Sequence, residues 1–344
     1  MRLEIYRSSI HWSKHRNRTQ MAESIDEIKH SIETELQEFN RIFDSAFTSQ
    51  DRLLGSALAH LSHRKGKQIR PVIVLLAGML CGEVNAKTYH AAASLEMLHT
   101  ASLVHDDVVD NTFSRRRQPS LNAMFDNKTS VLVGDYMLTK AMGFMARTGD
   151  MRLIESLTRL CEEITRGEIL QIQHAYALPT EEEYIEVIRK KTAVLFSTCG
   201  EIAAIAAGAD SQQRDAVRIF CDCLGICFQI KDDIFDYTPK ADIGKPTFND
   251  IREGKITLPL LYSLRSTGEK EREEILSRIS KASDDPTLPE TMYELICRMG
   301  GMEYAHKRIE QYRTQAIAQL GIFPDCEAKE ALVSTLDYVI DRNV

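Results

Sequence analysis

Two stretches of this sequence repeat one acidic element: His105-Asp106-Asp107-Val108-Val109-Asp110 and Lys231-Asp232-Asp233-Ile234-Phe235-Asp236. On a helix the first and last aspartates stand four residues apart and the second and last three apart, so the carboxylates gather along one edge and repel one another. Each element closes an apolar run, toward a helix end where the macrodipole disfavours negative charge. Folding alone gives little reason for that placement, whereas a cation does. An all-oxygen donor set suits a hard ion, and Mg²⁺ characteristically binds through one or two carboxylates, substrate phosphates and water. A lone copy reads equally well as a solvated acidic helix end. Two copies, with no repeating period between them, read as two halves of one site.

Basic residues are the second ingredient. Gly66-Lys67-Gln68-Ile69-Arg70-Pro71 precedes one apolar run, and Arg115-Arg116-Arg117 begins five residues beyond Asp110. Arginine forks match diphosphate oxygens in pairs and lysine adds a compact charge, so anion sites stand beside the acidic ones. Taken singly, each basic cluster is also an ordinary solvated loop.

Helices must position these groups. The 9 prolines leave long proline-free windows in which apolar residues recur at three- and four-residue spacing, as in Leu95, Leu98, Ser102 and Phe220, Leu224, Cys227. Alternating strand patterns are scarce, so the predicted class is all-α. Turn chemistry predicts loops at residues 63–66, 82–85, 111–120, 148–150, 239–254 and 283–289. The predicted organisation is a disordered extension over residues 1–20 and a single helical domain over 21–344. The extension is rich in arginine and poor in acid, which also fits an organellar transit peptide.

A net charge of -7 argues against nucleic acid as a partner, because phosphate neutralisation needs a broadly basic face. No apolar stretch approaches the roughly 20 residues of a membrane span, so no transmembrane segment is expected. The 8 cysteines lack disulfide-scaffold spacing, which places the chain in a reducing, cytoplasmic setting. Cys221, Cys223 and Cys227 could suggest a metal, but residues two apart diverge on a helix and are read as core.

Together these residues carry a resemblance. Gly66-Lys67-x-x-Arg70-Pro71, His99 with Leu103 to Asp110, Arg115-Arg116, Gly134-Asp135, Lys191-Thr192 and Phe228-Gln229-x-x-Asp232-Asp233-x-x-Asp236 follow the order and spacing of the trans-isoprenyl diphosphate synthase family. The match runs from about Leu53 to Leu261. It implies an all-α isoprenoid-synthase bundle with a deep central cavity, a homodimer, and head-to-tail joining of isopentenyl diphosphate to an allylic diphosphate primer. It implies Mg²⁺ as cofactor, as three ions when substrate is bound. Asp106, Asp110 and Asp232 would be principal metal ligands, with Asp107, Asp233 and Asp236 completing or supporting the sites. Arg115, Lys191 and Lys245 would hold the allylic diphosphate, and Lys255 matches a further family lysine that closes over the phosphates. Lys67, Arg70, His99 and Arg116 would hold isopentenyl diphosphate. Thr192 and Gln229 would aim dipoles at a carbocation. Peripheral contact with a membrane would serve product release.

Three positions depart from the family's pattern. Arg117 stands where glycine commonly follows the arginine pair, Gln68 where a base is frequent, and Asn111 where an acid often follows the first motif. None removes an expected ligand. A terpene cyclase shares the fold and the first motif but needs neither a full second motif nor the set Lys67, Arg70, His99. A non-catalytic synthase subunit would lose motif carboxylates, and all six are present.

Product length is read five residues before Asp106, at Ala101. In the family this side chain points along the cavity toward the growing tail, and bulky aromatics there form a floor in short-chain enzymes. Alanine leaves the path open and predicts a long product, such as a quinone side-chain precursor, over farnesyl or geranylgeranyl diphosphate. Met97 and Leu98, a helical turn further from the metals, would line or close the deeper tunnel, and facing residues such as Met142 or Phe144 would also set its depth. Ala101 is equally readable as a residue that simply lets two helices pack closely.

Overall fold

The computed structural model describes residues 24–63, 66–115, 118–238, 248–280, 285 and 287–342. Arg116, Arg117, Lys245 and the 1–20 extension lie outside the described residues. Helices α1 (Ile25–Ser31), α2 (Glu33–Asp44), α3 (Arg52–Ser62) and α4 (Ile69–Cys81) lead to the long α5 (Ala86–Val109). Then come α6 (Leu121–Met124), α7 (Asn127–Ala146) and α8 (Met151–His174). α9 (Glu181–Ile188) runs through a π-helical turn (Arg189–Ala193) into α10 (Val194–Ala207), and α11 (Ser211–Asp236) follows. The remainder is α12 (Asn249–Arg252), α13 (Leu258–Ser266), α14 (Glu269–Ile279), α15 (Leu288–Met299), α16 (Gly301–Gln319) and α17 (Glu327–Asp341).

The fold is all-α, and three of the expected loops carry regular elements. Between α5 and α6, Ser114–Arg115 pairs antiparallel with Gln118–Pro119. The expected loop over 239–254 also contains the single turn α12, and that over 283–289 is shortened by α15, whose proline sits in the first turn where its missing N–H costs nothing.

Local chemistry sets the helix ends. Asn85 caps α5 by accepting from the Lys87 and Thr88 amides, and Asp210 with Gln213 forms a reciprocal capping box on α11. α10 is the axis of the bundle: Leu195, Phe196, Cys199, Ile202, Ala203 and Ile205 are buried around its circumference. It packs against α4, α5, α8 and α11, so the helices carrying the two acidic motifs share one partner. One contiguous apolar cluster extends from Ile28 to Ile340. Cys221, Cys223 and Cys227 are free thiols inside it, as expected of core residues, and burial pushes Cys223 up to about 12.

Candidate active site

α5 ends at Val109 with Asp110 as its C-cap, and α11 ends at Asp236, so both motifs occupy helix C-termini. Burial, then repulsion from Glu168, pushes the Asp106 carboxyl up to about 6, while Lys191 pulls the other way. Burial also raises Asp110, against the attraction of Lys255. Asp250, which leads the segment after the second motif, is raised by burial and by Asp236, and it too is opposed by Lys255 and Lys191. The same two lysines therefore act on Asp106 and Asp110 of the first motif and on Asp250, beside Asp236 of the second, so the ends of the two motif helices lie near one another. Lys191 Nζ lies 2.7 Å from Glu168 Oε1, and Lys255 pairs with Glu253.

Within each motif the second aspartate behaves differently from its neighbours. Asp107 is almost wholly buried and accepts from Arg115 Nε at 2.7 Å, while its backbone carbonyl accepts from Asn122 Nδ2 at 3.0 Å. Asp233, equally buried, accepts from Tyr184 Oη at 2.6 Å and Gln229 Nε2 at 2.8 Å. These two carboxylates are engaged by the protein itself. Asp232 is more open, with Oδ1 accepting from Arg342, and Asp236 Oδ2 accepts from the Asp250 amide at 3.2 Å.

Glycine contacts set the walls. The π turn carries Lys191 and Thr192, with the Val194 amide donating five residues back to Arg189. A Cβ at Gly167 on α8 would stand 2.7 Å from the Lys191 nitrogen, and one at Gly225 on α11 would stand 2.6 Å from Ala193 Cα. The turn is thus seated between two helices at backbone contact, and such π bulges recur at functional sites. On α7, Gly134 gives His105 its place: His105 Nε2 lies 3.2 Å from the Val131 carbonyl oxygen, where a Cβ at 134 would intrude.

Two cavities flank these residues. One, with about 650 Å³ of open space, is lined by Gly66, Gln68, His99, Leu103, Asp107 and Arg115 among others. The other, about 690 Å³, is lined by Lys191, Thr192, Gln229, Asp233, Asp250 and Lys255 with apolar Val187, Ile188 and Ile256. Arg70 lies over the Phe196 ring at 4.9 Å and Lys67 over Tyr338 at 5.6 Å. Gln68 has a left-handed backbone (φ 54°) and donates to Asn40 Oδ1 at 2.8 Å, so this departure from a basic residue serves the contact with α2. Met97, Leu98 and Ala101 are buried and line neither cavity. Ala101 lies seven residues after Ser94, whose hydroxyl donates to Ala141 on α7, and four before His105, so it sits on the face of α5 that packs against α7.

Glu168, Asp250, Glu253 and Tyr184 belong to this neighbourhood and carried no sequence signal of their own beyond lying near Lys191, Lys255 and the second motif. Among the described residues no three acids, histidines or cysteines form a ready-made metal cage. Asp106, Asp110, Asp232 and Asp236 offer hard carboxylate oxygens, the last two while also holding the Arg342 guanidinium and the Asp250 amide, and such donors fit an ion that completes its shell with phosphate oxygens and water.

A helical bundle in which two acidic motifs end helices packed on one shared helix, beside a cavity lined by Lys191 and Lys255, has the features of the isoprenoid-diphosphate class of helical enzymes. The chain belongs to the polyprenyl synthetase family, whose model matches residues 51–296, and it is a prenyltransferase. It is 38% identical to an all-trans-nonaprenyl-diphosphate synthase (geranyl-diphosphate specific) of Rhodobacter capsulatus, over 88% of this chain and 93% of that one. Its fold is similar to a polyprenyl synthase from Caulobacter crescentus complexed with calcium and isoprenyl diphosphate: TM-score 0.88, 32% identity, 95% of this chain and 100% of that one. It is also similar to a geranylgeranyl pyrophosphate synthase from Bacteroides thetaiotaomicron, at TM-score 0.79 and 40% identity, over 92% and 98%. No helix among the described residues is long and apolar enough to cross a membrane.

Proposed function

We propose that this chain is a trans-polyprenyl diphosphate synthase that extends an allylic diphosphate by head-to-tail addition of isopentenyl diphosphate to a long-chain product. The observation that carries the reading is the cavity in which Lys191 and Lys255 stand beside Asp233 of the second motif and Asp250. A diphosphate set between the motifs meets these cations directly.

Arg115, Lys191, Lys245 and Lys255 hold the allylic diphosphate, and Lys67, Arg70, His99 and Arg116 hold isopentenyl diphosphate. Mg²⁺, when bound by Asp106, Asp110, Asp232 and Asp236, neutralises charge on the leaving diphosphate. The lysines stabilise the same developing charge as the allylic C–O bond ionises. Thr192 and Gln229 turn their dipoles toward the cation, and the apolar wall of Val187, Ile188 and Ile256 keeps water from it. The isopentenyl double bond then attacks, and the departing diphosphate removes the final proton.

Long product rests on Ala101 and on the nonaprenyl synthase relative; the geranylgeranyl synthase likeness favours a shorter one. A homodimer is supported by apolar Leu132 and Met142, exposed on α7, with Ile169 and Ile172 on neighbouring α8. The unbridged cysteines accord with the cytoplasm. Purified protein incubated with Mg²⁺, farnesyl diphosphate and labelled isopentenyl diphosphate tests the proposal. Products beyond four isoprene units support it, arrest at geranylgeranyl diphosphate selects the short-chain reading, and no condensation overturns it.

A further inference from the structure

We infer that Tyr184 is a positioning residue for this reaction, acting through Asp233 and Gln229 to fix which end of the Thr192 hydroxyl faces the substrate. The inference rests on the prenyl-transfer reading above.

The four side chains form one relay. Tyr184 Oη donates to Asp233 Oδ2 at 2.6 Å, Gln229 Nε2 donates to Asp233 Oδ1 at 2.8 Å, and Thr192 Oγ1 donates to Gln229 Oε1 at 2.6 Å. Its polarity follows from the groups themselves. Gln229 turns its NH₂ toward Asp233 Oδ1 and its oxygen toward the Thr192 hydroxyl. The threonine proton is then committed to that oxygen. What the hydroxyl offers to the cavity is its lone pairs, the end of the dipole that stabilises positive charge. Thr192 lines the cavity that also holds Lys191 and Lys255, where the allylic cation develops.

Tyr184 stands at the far end of this relay, buried and three hydrogen bonds from the Thr192 hydroxyl, on the wall of the same cavity. Its phenol is the second donor on a carboxylate that is itself 2% exposed, and it fixes the plane in which Oδ1 meets Gln229. The backbone closes the circuit. α9 begins at the Thr180–Glu183 capping box and runs directly into the π turn, so Tyr184 and Thr192 lie eight residues apart on one continuous rod. Through Asp233 and Gln229 both ends of that rod are tied to α11. Gly225, on the same helix, lets the turn approach closely enough for the ties to form.

The test uses full-length protein whose wild-type form has first been shown to condense isopentenyl with farnesyl diphosphate; failure at that stage overturns the prenyl-transfer reading and not this inference. Single-turnover rates of the first condensation are then measured for Tyr184→Phe, Thr192→Val and the double variant. Tyr184→Phe is expected to slow the saturated rate about tenfold, with half-saturating concentrations of both substrates within about twofold of wild type. Because Tyr184 acts through Thr192, the double variant should be no slower than Thr192→Val alone, whereas independent effects would multiply. A rate for Tyr184→Phe within twofold of wild type, or multiplying losses in the double variant, overturns the inference. Should circular dichroism show Tyr184→Phe unfolded, Gln229→Met breaks the relay at its middle link. It must show the same non-additivity with Thr192→Val, and multiplying losses there overturn the inference equally.

Discussion

Arg342, at the end of the last helix, donates to Asp232 Oδ1 at 2.5 Å and to the Phe228 carbonyl at 3.0 Å, with its guanidinium 4.0 Å over the Phe228 ring. A carboxylate assigned to metal binding is thus already paired with a cation 110 residues further along the chain. Metal and guanidinium compete for one oxygen. Arg342→Ala should therefore lower the Mg²⁺ concentration for half-maximal activity, by about threefold for a partly exposed pair contributing under about 1 kcal/mol. It should also cost some thermal stability through the lost stacking. A Mg²⁺ titration of steady-state rate checks this, and an unchanged or raised midpoint would contradict competition.

Asp106 and Asp107 are neighbours with different work. Asp106→Asn should lower kcat by orders of magnitude at saturating Mg²⁺, since a lost metal ligand is felt mainly in the transition state. Asp107→Asn removes the buried negative charge that Arg115 meets and should cost about 1–3 kcal/mol of stability, with a smaller loss of kcat. Asp232→Asn and Asp233→Asn should divide in the same way. Thermal melts beside kinetics for the four variants decide it; equal kinetic losses within each pair would refute the division.

That division also marks how far the sequence could be read. Helical class and the placement of both motifs at helix ends were legible, because periodicity and capping residues act over a few positions. The roles of the second aspartates were not. The partner of Asp233 is Tyr184, 49 residues away, and only the packing of α9 on α11 brings them together. The π turn was invisible for a related reason: Arg189 to Ala193 has ordinary helical composition, and what singles it out is Gly167 on α8 and Gly225 on α11. Ala101 was read as open cavity wall, and the structure shows it on the face packed toward α7, where burial alone does not choose between tunnel and packing.

Gly225 and Gly143 make a matched pair of helical glycines. A Cβ at 225 meets the Ala193 backbone, which cannot rotate away, so Gly225→Ala should destabilise by about 1–3 kcal/mol and slow catalysis by displacing Lys191 and Thr192. A Cβ at 143 meets nothing within 4 Å, so Gly143→Ala should raise stability by up to about 1 kcal/mol and leave kcat unchanged. Denaturant melts with kcat for each variant test this. Normal kcat in a folded Gly225→Ala protein would show that the turn tolerates displacement.

Ala101→Phe tests product length where the structure leaves two roles open. If the growing chain passes between α5 and α7, a ring at 101 blocks it sterically while the diphosphate groups on Asp106, Lys191 and Lys255 are untouched. The products should then shift to short chains, with the first condensation retained. If Ala101 serves only helix packing, the ring overpacks a site that is 2% exposed, costing about 1–3 kcal/mol and leaving chain length as it was. Chromatography of products beside a thermal melt separates the two, since a tunnel residue changes product distribution and a packing residue changes stability alone. Ala101→Ser serves as the small control: it adds one hydroxyl, no floor, and should leave the long product in place. A wild-type enzyme that itself stops at geranylgeranyl diphosphate would remove Ala101 from the determinants of length, whatever the phenylalanine variant did.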